Sequence, residues 1–240
     1  APAAPPTPEQ VRRGRELVAK ALAAHGGAAR LRRVKDSTVN GDMTLRMRGT
    51  DLSGQLEQVR KDPWKMKFVT RFLSFDTQQI LNGRRAWSRF EGDSVTVSEM
   101  DSLSTEALRN GFSSDVVHVL RAAADSGATV VSRGTDHVDG HEVDVVEVAA
   151  PGRETRRLYL DAATHRLVAL DQSEEQAGSG LAVRRIYRDY RTVNGVLWPF
   201  HEERMLGGVR VMTLLVRSVT IDSGVADAVF QRPADPRSGT

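Results

Sequence analysis

Hydrophobic and polar positions keep a 3.6-residue period at the start of the chain and a two-residue period almost everywhere after it. Thr7-Pro8-Glu9-Gln10 has the grammar of a helix start. Thr7 can cap, Pro8 suits the first helical position, and Gln10 completes a capping box. Val11, Val18, Ala21 and Leu22 then share one helical face. His25-Gly26-Gly27 should stop the helix with a glycine in the left-handed conformation, and 28–33 adds another turn or two. From Ser37 the period changes. Val39, Gly41, Met43, Leu45 and Met47 alternate with Asn40, Asp42, Thr44, Arg46 and Arg48, which predicts a strand with one apolar face. A Gly49-Thr50-Asp51 turn leads to a second strand near 52–61, which Asp62-Pro63 breaks. Trp64, Met66, Phe68, Thr70 and Phe72 then alternate with lysine and arginine. Strands near 75–81, 84–90 and 94–98 complete the first run.

Residues 101–125 interrupt the alternation and read as two short helices, capped by Ser104 and by Ser113 or Ser114. Strands resume near 128–137, 141–149, 154–160, 165–175, 181–193, 196–206 and 209–221. Asn82-Gly83, Asp139-Gly140, Pro151-Gly152, Asn194-Gly195 and Gly207-Gly208 supply turns of the kind that close hairpins. Connections this short exclude parallel crossovers, so the strands must be antiparallel. Residues 211–216 are apolar at every phase but Thr213, which predicts a strand covered on both sides. The expected fold is therefore mainly β (α+β): a large curved antiparallel sheet, a half-barrel, with an N-terminal helix and a short helical lid insert on its concave face. The expected organisation is a flexible Pro/Ala linker over 1–7, one domain over 8–233 and a tail over 234–240.

Composition removes several kinds of chemistry. The chain has 240 residues and no cysteine, so disulfides, thiolate nucleophiles, Cys-based zinc sites and a lipidated cysteine are all excluded. No run approaches the length of a transmembrane helix. The net charge is only +3, and arginine pairs such as Arg84-Arg85 and Arg184-Arg185 are scattered, unlike the basic stripe of a nucleic-acid binder. APAAPPTP reads as a linker, either left by cleavage of an export signal or joining domains of a longer chain.

Candidate catalytic motifs fail on context. In DHVDGHEVD (136–144) two histidines stand four apart, but Asp139-Gly140 between them marks a hairpin tip. A zincin helix needs His-Glu-x-x-His, and Val145 and Met205 stand where the second histidine would be after His141-Glu142 and His201-Glu202. GSGLAV (178–183) opens a strand, so no helix N-terminus awaits a phosphate. His25-Gly26-Gly27 has no Gly-x-Ser-x-Gly elbow to serve, and His118 reads as a packed histidine. The expectation is no enzyme, no cofactor and no metal.

RRLYLDAATHRLVALD (156–171), YRDYRTVNGVLWPF (187–200) and VRSVTIDSGVADAVFQRP (216–233), with DPWKMKFV (62–69) and ILNGRRAWSRFEGDSV (80–95), occur in an order that resembles the LolA/LolB-like family of periplasmic lipoprotein carriers and outer-membrane lipoprotein-sorting proteins. The resemblance runs from about residue 10 to 233. It implies a half-barrel with helices over an apolar cavity that holds acyl chains. It also implies a periplasmic or secreted carrier, monomeric, whose partner is lipid or an acylated lipoprotein, with envelope proteins as further partners and no nucleic acid. Similar domains serve as envelope-stress sensors and as appendages of insulinase-type zinc peptidases, so the alternative is a non-catalytic interaction or sensor domain of a larger exported protein. The candidate cavity residues are Met43, Leu45, Met47, Trp64, Met66, Phe68, Phe72, Trp87 and Trp198. Without a ligand, the same residues are ordinary core.

Overall fold

A computed structural model describes residues 5–151, 154–173 and 182–234. The helices are α1 (Pro8–Ala24), α2 (Ala28–Arg33), α3 (Ser102–Phe112) and α4 (Val116–Ala123). The first strands are β1 (Asp36–Met47), β2 (Thr50–Lys61), β3 (Lys65–Phe72), β4 (Asp76–Asn82), β5 (Arg85–Glu91) and β6 (Val95–Glu99). After the helices come β7 (Thr129–Val138), β8 (His141–Ala149), β9 (Arg156–Asp161), β10 (Leu167–Ser173), β11 (Ala182–Val193), β12 (Val196–Leu206) and β13 (Val209–Ile221). The fold is mainly β and antiparallel, with an N-terminal helix and a few short ones, as the alternation predicts.

The chain divides into two interleaved compact bodies, Ala1–Arg33 with Val116–Val209, and Val34–Asp115 with Arg210–Thr240. In the first body the strand order is β12-β11-β10-β9-β8-β7; in the second it is β6-β5-β4-β3-β2-β1-β13. β6 and β7 each have a single strand neighbour among the described residues, so the order is open.

In the first body, Thr7 accepts from the Gln10 amide and the Gln10 side chain accepts from Thr7 N–H, closing the expected capping box. Leu17, Val18, Ala21 and Leu22 are buried. Gly14 lets α1 lie on β7, since a Cβ there would sit 2.9 Å from the Ser132 nitrogen. The stop at His25-Gly26-Gly27 is also an anchor. Gly26 (φ +109°) abuts the Asn194-Gly195 hairpin tip, Arg30 Nε donates to the Asn194 carbonyl at 2.8 Å, and Leu197 N–H donates to the His25 carbonyl. Asn194 (φ 45°) and Gly195 (φ 74°) both take the positive φ that this two-residue turn requires.

His25 is fully buried, and its Nδ1–H donates to the Ala21 carbonyl at 2.8 Å while Nε2 has no hydrogen-bond partner among the described residues. Burial pushes its pKa down from 6.5 to about 4, with the Ala21 bond opposing and Arg166 assisting. The folded form holds the ring neutral, whereas the unfolded chain takes up a proton below 6.5. Stability should therefore fall as pH drops from 6.5 to about 4, by up to about 3 kcal/mol, and level off below. Urea titrations at pH 7 and pH 4.5 should show this loss in the wild type and lack it in His25→Leu.

In the second body, Arg48 (φ 50°) and Gly49 (φ 83°) form the β1–β2 turn, one residue earlier than the pattern suggests, and β2 begins at Thr50. β13 departs further from expectation. Met212 and Leu214 are buried but Leu215 is 52% exposed, so this strand is covered on one side, not two. The segment after β13 runs back over the sheet to a 3-10 turn, Asp227–Phe230. Phe230 is fully buried against Val59, Ile80 and Trp87, worth about 2–3 kcal/mol for a phenyl ring. Asp36 accepts from Ser223 and Gly224, and Lys61 and Lys65 pair with Asp227.

The helical insert divides between the bodies. α3 is capped by Asp101, whose carboxylate accepts from the Ser104 amide; Ser104 is the third helical residue, not the cap. Leu108 and Phe112 of α3 pack on Met66, Leu81 and Ala86 in the second body. α4 lies beyond the boundary and packs with α1 and α2 in the first. The expected Pro151-Gly152 turn, most of GSGLAV and the two termini fall wholly or partly outside the described residues.

Candidate functional site

Residues directly opposite in an antiparallel pair share a face. The registers of the second body therefore sort its side chains. One face carries Val39, Gly41, Met43 and Leu45 of β1, Leu56 and Gln58 of β2, and Met66, Phe68, Thr70 and Phe72 of β3. It continues through Thr77, Gln79 and Leu81 of β4, Ala86, Ser88 and Phe90 of β5, and Ser98 of β6. Met212 and Leu214 of β13 complete it on the other flank. The opposite face carries Asp42, Glu57, Lys67, Arg71, Asp76, Arg89 and Glu91. Among the described, paired positions of the first face, Arg60 is the one charged side chain. It is held by Asp115, at 3.2 Å from Nε, and by the Gly111 carbonyl of α3.

α3 covers the end of this face that holds Arg60, and away from that residue the face is uncharged. Trp64 joins it there, 5.3 Å from Phe112 ring to ring and with Arg109 stacked 4.3 Å above. Beyond α3 the face is only half-buried. Met43, Leu56, Met212 and Leu214 are buried, with Leu45, Phe68, Phe72 and Val216 partly exposed around them. Gly41 and Gly54 give the neighbouring side chains room, since a Cβ on Gly54 would stand 2.7 Å from the Phe72 ring. At the far end Phe72, Phe75 and Phe90 form an aromatic row at 4.8 and 5.6 Å. Met47 and Phe90 are each nearly half exposed and Leu73, at the turn, wholly so.

The candidates from sequence thus fall in separate places. Met43, Leu45, Phe68 and Phe72 form one cluster. Trp64 and Met66 lie under α3 on the same face. Met47 is at the strand end and exposed. Trp87 is on the opposite face beneath Phe230, and Trp198 is buried on β12 in the first body. Leu56, Met212, Leu214 and Phe90 belong to the uncharged face but were not among the candidates. Their signal was phase, which becomes legible only once each strand's register is known.

The polar motifs elsewhere are built into the scaffold. His137 pairs with Glu142 and His141 with Val138, so the two histidines point to opposite faces of their hairpin. No group of three or more metal-ligating side chains occurs among the described residues. Glu202 accepts from Arg185 at 2.5 Å and Glu203 from Arg188 at 2.8 Å, which makes His201-Glu202-Glu203 a half-buried part of β12 rather than a polar outer edge. Tyr159 donates to Asp171 at 2.7 Å, and Arg184 binds both. Burial and then Asp171 push the tyrosine up to about 12, the wrong direction for a base or nucleophile.

No family model and no curated protein matches the chain. Solved structures do resemble it. A DUF1329-family protein from Desulfovibrio piger superposes with a TM-score of 0.60 at 12% identity, over 92% of this chain and 97% of its own. A domain from Vibrio parahaemolyticus, provisionally named for outer-membrane lipoprotein sorting, gives 0.58 at 13%, over 92% and 97%. A LolA-superfamily protein from Nitrosomonas europaea gives 0.57 at 12%, over 91% and 97%. At such identities the likeness is one of fold, and the fold is LolA-like, as the order of sequence motifs suggested.

Proposed function

We propose that this chain is an exported bacterial lipid or lipoprotein carrier that holds acyl chains against the uncharged face of its second body. The observation that carries the reading is the half-buried cluster of Met43, Leu45, Phe68, Phe72 and their neighbours. A ligand site is usually apolar with a few polar groups. The opposite face keeps the charge, so the sheet offers an alkyl chain one favourable side. Likeness of fold to a domain named for outer-membrane lipoprotein sorting and to a LolA-superfamily protein supports the same reading. No helix among the described residues is long and apolar enough to cross a membrane. The proposed partner is an acylated lipoprotein or free lipid, met by the chain as a monomer in the periplasm or outside the cell.

Organic extraction and mass spectrometry of the purified protein should recover lipid. In thermal unfolding, a lysophospholipid at a hundred times its Kd should stabilise the wild type by about 2.7 kcal/mol. Leu45 is partly exposed, so Leu45→Glu should fold and lose this shift. No lipid in the extract and no shift in the wild type would favour a non-catalytic interaction domain instead.

A further inference from the structure

The uncharged face is not uniformly apolar. Across β13, β1, β2 and β3 it carries Leu214, Met212, Met43, Leu45, Leu56, Phe68 and Phe72, interrupted by Gln58 and Thr70 and, at the end under α3, by Arg60. Across β4, β5 and β6 it changes character. Phe68 pairs with Gln79, Gln79 with Ser88, and Ser88 with Ser98; in the next row Thr70 pairs with Thr77, Thr77 with Phe90, and Phe90 with Thr96. Apart from Phe68 and Phe90 these side chains are amides and hydroxyls, and none is charged.

Their hydrogen bonds leave capacity unused. Thr70 and Thr77 bond to each other at 2.7 Å, and Ser88 to Ser98 at 2.9 Å. Each pair uses one hydroxyl hydrogen internally and keeps the other. Among the described residues Gln58 Nε2 reaches only the Met66 sulfur, at 3.6 Å, which is a weak acceptor. Gln79 is half-buried and its amide makes no hydrogen bond to the described residues. A polar, uncharged strip, half-buried at Thr77, Gln79 and Ser88 and exposed at Thr96 and Ser98, therefore borders an apolar one on a single face.

We infer that this face takes a neutral amphiphile, an alkyl chain bearing an uncharged hydroxyl or ester head such as an acylglycerol, with the chain on Met43, Leu56, Phe68 and Phe72 and the head on Gln79, Ser88 and Ser98. The inference rests on the carrier reading and narrows it. An anionic head would need a counter-charge, and the face offers none, because Arg60 is already engaged by Asp115 and α3. An ionised carboxylate loses hydration there without a partner, whereas a hydroxyl exchanges water for an amide at little cost.

The test is a competition between equimolar monolauroylglycerol and laurate at pH 7.5, read by native mass spectrometry. The two share one chain and differ only in the head. The wild type should favour monolauroylglycerol about tenfold. Gln79→Leu should reduce the preference to about twofold while total lipid bound stays the same. Gln78→Leu, on the opposite face, should keep the wild-type ratio. Equal binding of the two lipids, a preference for laurate, or a Gln79→Leu ratio unchanged from wild type would each overturn the neutral-head inference and leave the carrier reading standing. Binding of neither lipid would overturn both.

Discussion

Gly26→Ala should lower stability by about 4 kcal/mol in urea denaturation, the sum of backbone strain of about 1–3 and overpacking of about 1–3. Gly26 sits at φ +109°, a conformation that costs any residue with a Cβ. The new methyl would stand 2.1 Å from the Gly195 carbonyl oxygen and 3.5 Å from the Val196 Cα. All of these are backbone atoms of the β11–β12 turn, and that turn is already fixed by Arg30 and by the Leu197 to His25 bond. No flexible side chain can move aside. Gly27 is the control. It too has positive φ, at +88°, but a Cβ there meets nothing within 4 Å. Gly27→Ala should therefore cost only strain, about 1–2 kcal/mol. Equal losses in the two variants would show that the helix end does not depend on its contact with the hairpin tip.

The same pair of glycines shows what a sequence can and cannot announce. His25-Gly26-Gly27 was legible as a helix stop and Asn194-Gly195 as a hairpin turn, because each is local chemistry. Their contact was not, because nothing in either stretch names the other. The strands were legible for the same local reason, through alternation bounded by turn residues. Which face a strand presents was harder. Ile80-Leu81 and Ala86-Trp87 are apolar at both phases, so alternation cannot assign them. Register does: Leu81 pairs with Ala86 under α3, while Ile80 pairs with Trp87 under Phe230. Trp87, a candidate from the next hairpin pair, lies on the other side from Trp64 and Met66. The division of the 101–125 insert was hidden likewise, since both helices are amphipathic and the sequence does not say which body each one covers. The mixed character of the candidate face is present in the sequence as Gln58, Gln79, Ser88 and Ser98, but only pairing places Gln58 and Gln79 beside Phe68 and carries the same row on through Ser88 to Ser98.

Asp115→Ala should cost about 3–5 kcal/mol, the usual loss when one partner of a buried ion pair is removed. Asp115 and Arg60 expose only 7% and 6% of their side chains, and their atoms approach to 3.2 Å. Arg60 Nη2 also donates to the Gly111 carbonyl of α3 at 3.4 Å. The alanine variant leaves a guanidinium buried beside a vacated carboxylate. The cost should then come from the stranded charge more than from any lost attraction. The double variant Arg60→Met/Asp115→Leu separates the two. It removes both charges, keeps the volume, and should recover stability to within about 1–2 kcal/mol of wild type. Asp115→Ala should also loosen the end of α3 that lies over Met66 and Leu81, raising solvent access to Trp64, whose ring packs on Phe112. Iodide quenching of tryptophan fluorescence in native conditions reads that change, and the double variant should quench like wild type. If the single variant is as stable as wild type, Arg60 is compensated from elsewhere and α3 is held by its apolar contacts with Leu81, Ala86 and Trp64.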